Sequence, residues 1–179
     1  MTPETINAFW FEKLEPRQWW QKDPVLDQNI RDHFSAIHAA AMKCELWQWR
    51  NTAEGRLAEI LVLDQFSRNI YRDTPNAFAC DPLALALAQE AIQLGVDDSL
   101  PDTKRAFLYM PYMHSESRAI HQEAVLLFSS PGLESQLDFE LKHQAIIDRF
   151  GRYPHRNAIL GRMSTAEENQ FLTQADSSF

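Results

Sequence analysis

Between Thr52 and Tyr71 the chain reads TAEGRLAEILVLDQFSRNIY, and Leu57 to Phe66 is apolar nearly all round. A surface helix shows one apolar stripe, whereas a helix apolar on every side has to be surrounded by others. This segment therefore predicts a central helix with the rest of the chain wrapped around it. Thr52 stands where a capping hydroxyl would start it.

The flanking sequence supplies helices to do the wrapping. Thr2-Pro3 and Asp23-Pro24 each place a capping side chain before a proline at the first helical position. Leu26, Ile30, Phe34, Ile37 and Ala41 then recur at helical spacing. Asp81-Pro82 starts another helix, and Gly95 lies where a left-handed cap would end it. Ser99 and Pro101 open a helix that Pro111 ends or kinks. The next runs from near Ser115 to Ser129, and another from Glu134 to Phe150, closed by Gly151. Ser164 and Glu167 match a capping box for a short last helix.

The spacing thus predicts an all-α fold of about eight helices with no strand. Short connections predict antiparallel helical hairpins. No linker divides the chain, so one domain over 1–179 is expected, fraying from about residue 175.

Charge and composition narrow the function. Lys and Arg total 17 against 25 Asp and Glu, a formal net charge of −8. A chain-wide basic surface for nucleic acid is not expected. The apolar runs fall far short of the roughly 20 residues that span a bilayer, so no membrane association is expected. The N-terminus MTPETINAFWF does not read as a secretory signal. Cys44 and Cys80 are too few for a disulfide scaffold or a cysteine-rich zinc site. Together these predict a cytoplasmic protein.

Two stretches echo each other, ILVLDQFSR (Ile60 to Arg68) and QAIIDRFGR (Gln144 to Arg152). In each, an Asp precedes an Arg by four residues, the favourable order for a helical ion pair. Asp64 and Asp148 are thus expected as structural partners of Arg68 and Arg152. Both stretches run into donor-rich tails. Arg68 is followed by Asn69 and Arg72, and Arg152 by His155, Arg156, Asn157 and Arg162. Guanidinium forks bind carboxylate or phosphate in two-point fashion, and Asn and His add further donors. If same-direction helices bring both tails to one edge, Arg68, Asn69, Arg156 and Asn157 would form a site for a small anion or peptide carboxylate. His114 and His155 would orient the ligand or the loop.

His114, Glu116, His121 and Glu123 form H-x-E-x4-H-x-E. Residues seven apart share a helix face, so the two histidines form one row and supply at most two ligands to a metal. No metal site is expected. No nucleophile elbow, phosphate loop or dinucleotide glycine fingerprint occurs, and no cofactor is expected. The rival to a binding module is a hydrolase with His114 or His155 as acid–base group and Glu116 as its partner. Trp10, Trp19, Trp20, Trp47 and Trp49 are read mainly as packing residues, with Trp19 or Trp20 the best candidates for a groove wall.

The motifs FWF (Phe9 to Phe11), Trp19-Trp20, LDQFSRNIYR (Leu63 to Arg72), MPYMHSES (Met110 to Ser117), RFGRYPHRNAILGR (Arg149 to Arg162) and STAEE (Ser164 to Glu168) cover nearly the whole chain. In this order they resemble a bacterial and fungal family, domain of unknown function nine-two-four. The resemblance implies a helical fold similar to the tetratricopeptide superfamily and no established activity. Ala86 to Asp98, ALAQEAIQLGVDD, is similar to a tetratricopeptide second helix, although no regular 34-residue repeat is present. An acidic residue is usual in the family where His121 stands. Some tetratricopeptide domains hold a peptide's terminal carboxylate with Asn, Lys and Arg, which by analogy supports the anion reading.

Overall fold

The computed structural model describes residues 1–175 and Ser177. Among these residues the chain is all-α and contains no strand. The expected fraying falls largely on Asp176, Ser178 and Phe179, which lie outside the described residues. None of the described helices is long and apolar enough to cross a membrane.

The chain packs as two compact units, one comprising Met1–Arg72 with Asn76–Pro111, the other Asp73–Pro75 with Tyr112–Phe179. The first begins with α1 (Pro3–Ala8), which continues as a π-helical turn over Phe9–Lys13. Helix α2 (Pro24–Met42) is capped by Asp23, whose carboxylate accepts from the amides of Val25 and Leu26. Helix α3 starts as Ala53–Leu61, passes through a π turn at Val62–Phe66 and ends with Ser67–Ile70. Helix α4 is Asp81–Gln93, and α5 is Asp102–Met113, which runs through Pro111. The second unit adds α6 (Arg118–Phe128), α7 (Glu134–Phe150) and α8 (Ala166–Phe171).

Helix α3 lies in the first unit, and every residue from Leu57 to Phe66 is buried, as its all-round apolar sequence predicts. Thr52 caps it, its hydroxyl accepting from the Gly55 amide at 3.0 Å. Aromatic rings pack on its far end: Phe34 lies 4.9 Å and Trp10 5.7 Å from Phe66, centroid to centroid. Trp10 is buried, whereas Trp20 is 59% exposed and stacks on Phe107. The buried polar residues on α3 carry partners, as their burial requires. Glu59 receives both arms of Arg50 at 2.7 and 2.8 Å, and Asp64 receives the Gln65 amide at 2.7 Å.

In the second unit α6 packs against α7, the two joined by a short turn through Pro131 and Gly132. Ile146, Ile147 and Tyr153 form one buried hydrophobic cluster of this unit, with Phe150 and Phe171 against them. Gly151 ends α7 at φ 69°, the left-handed conformation in which a Cβ is strained. The last helix starts one residue later than expected. Thr165, not Ser164, accepts from the Glu168 amide, and Glu168, not Glu167, returns to the Thr165 amide.

Candidate functional site

In the first unit the donor-rich tail of α3 is committed locally. Arg68 lies 3.2 Å from Asp64, the expected pair, and sends two further bonds to Asp81 at 3.0 and 3.1 Å. Asn69 donates to Asp27 at 2.8 Å, and Arg72 grips the same carboxylate at 2.5 and 2.7 Å. The tail thus ties α3 to α2 and α4. Ser67 shows a second internal network. Its hydroxyl donates to the Leu63 carbonyl at 2.6 Å, so His38, 2.7 Å away, must be the donor in their contact. A hydroxyl held this way is not an activated nucleophile, whose hydrogen would point to the imidazole. Burial lowers the His38 pKa below its ordinary value.

The second unit holds the more distinctive arrangement. Helix α5 ends at Met113, and residues 113–116 form a turn that four separate donors grip. The Tyr153 hydroxyl donates to the Met113 carbonyl at 2.5 Å. Arg156 Nη2 donates to the His114 carbonyl at 3.0 Å. His121 Nε2 lies 2.8 Å from the Ser115 carbonyl. The Glu116 carboxylate accepts from the Tyr153 amide at 2.7 Å and from Arg162 at 2.6 and 2.8 Å. Arg162 also donates to Asn157 Oδ1, and Asn157 to the Ser164 hydroxyl, each at 3.0 Å. The HSE and YPHRN motifs are therefore two halves of one clamp.

Tyr153 is the hub. Its ring centroid lies 5.5 Å from that of His155, 5.8 Å from His143 and 6.2 Å from His121. The Arg156 guanidinium sits over it at 4.6 Å, a cation–π distance. Burial pushes the His143 pKa down to about 3, outweighing the Phe139 carbonyl that its Nδ1 meets at 2.7 Å. Burial alone would raise Glu116, but Arg162, the Tyr153 amide and Arg156 outweigh it and hold the carboxyl below its ordinary value. His114 and His155 remain half-buried, and Arg156 is buried. Among the described residues, no three His, Cys, Asp or Glu side chains converge as metal ligands would.

The expected pairing of Asp148 with Arg152 is replaced. Arg152 binds Glu168 at 2.6 and 2.8 Å, and this pair draws Glu168 down to about 2. The capping box turns the Glu168 carboxylate toward the end of α7, where a nearly buried acid outcompetes the exposed Asp148. Asp148 instead offers its carbonyl to Arg118 at 3.0 Å. Arg68 and Asn69 belong to the first unit, and Arg152, Arg156 and Asn157 to the second.

Sequence reasoning passed over Glu140 and Tyr153. Glu140 interrupts the spacing Leu133, Leu137, Glu140, Gln144, Ile147 on α7, and an acid on a core-facing row is a readable sign of a buried partner. That partner is His121, whose Nδ1 lies 2.6 Å from Glu140 Oε1, both side chains fully buried.

A solved structure of a protein of unknown function from Agrobacterium tumefaciens is similar to this chain. The two share 42% identity over 95% of this chain and 96% of that one, with a TM-score of 0.90. No curated protein matches the chain. Residues 6–176 match the family described as bacterial protein of unknown function, DUF924, and the chain belongs to that family.

Proposed function

We propose that the second unit is a non-catalytic recognition module for a small oxyanion, either phosphate or the carboxylate of an acidic peptide end. His114, His155 and Arg156 are the binding groups, and Asn157 with Arg162 holds their loop. The observation that carries this reading is the clamp. Four donors fix residues 113–116, so the half-buried His114 and His155 rings stand on a rigid base beside a buried guanidinium. Rigid donors lose little freedom on binding, and preorganisation of this kind favours affinity. The hydrolase reading has less support. Glu116 is held charged by Arg162 and the Tyr153 amide, which suits a fixed anchor better than a group exchanging protons.

The paired helices α6 and α7 support a tetratricopeptide-like reading of this unit. The two free cysteines, Cys44 and Cys80, support a cytoplasmic one. The test is a thermal-shift titration with phosphate, acetate, and one peptide with either a free or an amidated C-terminus. Stabilisation should saturate with ligand concentration beyond the general salt effect. It should be lost in His155→Ala and kept in Lys13→Ala. An equal response in both variants overturns the reading, and a response to the free but not the amidated peptide identifies a carboxylate.

A further inference from the structure

We propose that Glu140 is a positioning residue: through His121 and Tyr153 it fixes the turn carrying His114 and so sets the affinity of the oxyanion site. This rests on the recognition reading above and adds the group that controls the site from within the core.

The Ser115 carbonyl, 2.8 Å from His121 Nε2, can only accept, so Nε2 carries a hydrogen. The Tyr153 hydroxyl has one hydrogen, which goes to Met113, so at 3.2 Å it accepts from the same Nε2. His121 thus steadies two supports of the turn with one N–H. Its other nitrogen faces Glu140 Oε1 at 2.6 Å. If the ring is charged, Nδ1 donates to a carboxylate. If the ring is neutral, Nδ1 accepts from the carboxyl group. In either state one hydrogen lies between Glu140 and His121, and the ring cannot turn without breaking that bond.

The surroundings leave no substitute. Both side chains are fully buried, so water does not take over the role of Glu140. The second Glu140 oxygen, Oε2, has no hydrogen-bond partner, so the residue's bonding is concentrated on His121. Loss of Glu140 leaves Nδ1 bare in the core or lets the ring rotate. Either change loosens the hold on Ser115 and on the Tyr153 hydroxyl. Tyr153 in turn carries Arg156 on its ring face and His155 beside it. Every proposed binding group therefore connects to Glu140 through at most two side chains of the second unit.

Glu140→Gln and Glu140→Leu separate positioning from general stability. A Gln amide can donate to Nδ1 and keep the Nε2 hydrogen in place, whereas Leu fills space without a polar contact. The readouts on the full chain are calorimetric titration with inorganic phosphate and with acetate, and long-range 1H–15N spectra of the histidine rings. The parent and Glu140→Gln should show His121 protonated on Nε2 and bind the preferred anion within about twofold of each other. Glu140→Leu should weaken that anion about tenfold, equivalent to about 1.4 kcal/mol, and broaden or shift the His121 signals. A folded Glu140→Leu with parental affinity and parental His121 signals overturns the proposal. If the parent binds neither anion, the recognition reading falls. The His121 signals and amide exchange across His114–Ser117 then still decide the positioning role. Should Glu140→Leu not fold, Tyr153→Phe removes a single hydroxyl from the same chain. It should weaken binding about threefold and perturb His121, and parental behaviour in both respects overturns the proposal.

Discussion

Glu116→Gln is the sharpest single perturbation of the clamp. The parent carboxylate accepts three hydrogen bonds, from the Tyr153 amide and both terminal nitrogens of Arg162. The amide that replaces it keeps the volume but turns one acceptor into a donor, which then faces a guanidinium or a backbone N–H. Breaking a fully buried ion pair costs about 3–5 kcal/mol, whereas exposed pairs are worth about 0–1 kcal/mol. Both side chains here are 26% exposed, so water can solvate part of what is left behind. A loss of about 2 kcal/mol is therefore expected, a fall in Tm of about 4–8 °C for a chain of this size. Denaturant titration with a two-state fit measures the first, and a thermal scan the second. The loss should be local as well, with the Tyr153 amide exchanging faster because its acceptor is weakened. The pH dependence has a definite sign. The Glu116 pKa is lowered in the folded state, so its stabilisation is fully present above the ordinary carboxylate value and is lost as pH falls through the folded one. The variant should lack that part of the acid-limb slope. A loss below about 0.5 kcal/mol together with unchanged Tyr153 exchange would show that the clamp is not held through Glu116.

Leu61→Ala, at a fully buried position in α3, should cost about 2–5 kcal/mol in urea titrations, and a loss under about 1 kcal/mol would place that helix at the periphery. Gly55→Ala should destabilise by about 1–3 kcal/mol despite the better helix propensity of alanine, because a Cβ there would meet the Trp49 carbonyl at 1.9 Å. A neutral or stabilising result in a melting experiment refutes that close approach. Glu168, drawn from 4.5 to about 2 by Arg152, contributes stability that is complete above pH 4.5 and lost toward pH 2. Glu168→Gln should flatten the acid limb in that window, and an unchanged slope would mean that the pair is not formed in solution.

The helices were legible because their signals are local. Apolar spacing, Asp23 and Thr52 caps and the Gly151 stop act within a few residues, and each appears where the sequence placed it. The capping box slipped by one residue because Ser164-Thr165 and Glu167-Glu168 offer two registers, and local pattern alone does not choose between them. Glu168 is selected because its carboxylate also meets Arg152. Asp148 failed as a partner for the same reason, since a longer-range acid with better burial competes for the guanidinium. The candidate site was legible as residue types. HSE and PHRN were singled out, but the contacts that join them were not, because Glu116 meets Tyr153 and Arg162 across 37 and 46 residues. The pairing of His121 with Glu140 was the hardest to find. The two lie 19 residues apart, and only the facing of α6 on α7 makes them a pair.

The π turn at Val62–Phe66 gives α3 a helical phase that no uniform helix would have. Each added residue rotates everything downstream by about 100°. The turn therefore works as a phase shifter between an apolar barrel, Leu57 to Leu61, and a polar tail, Ser67 to Arg72. With it in place the tail aims Arg68 at Asp81, and Asn69 and Arg72 at Asp27. Deleting one residue from the turn would restore regular α-helical phase and rotate all three side chains away from their carboxylates while leaving the apolar barrel in place. Length within this short stretch is thus as tightly constrained as residue identity, and a one-residue gap there would break the hydrogen bonds and ion pairs that the tail makes with α2 and α4.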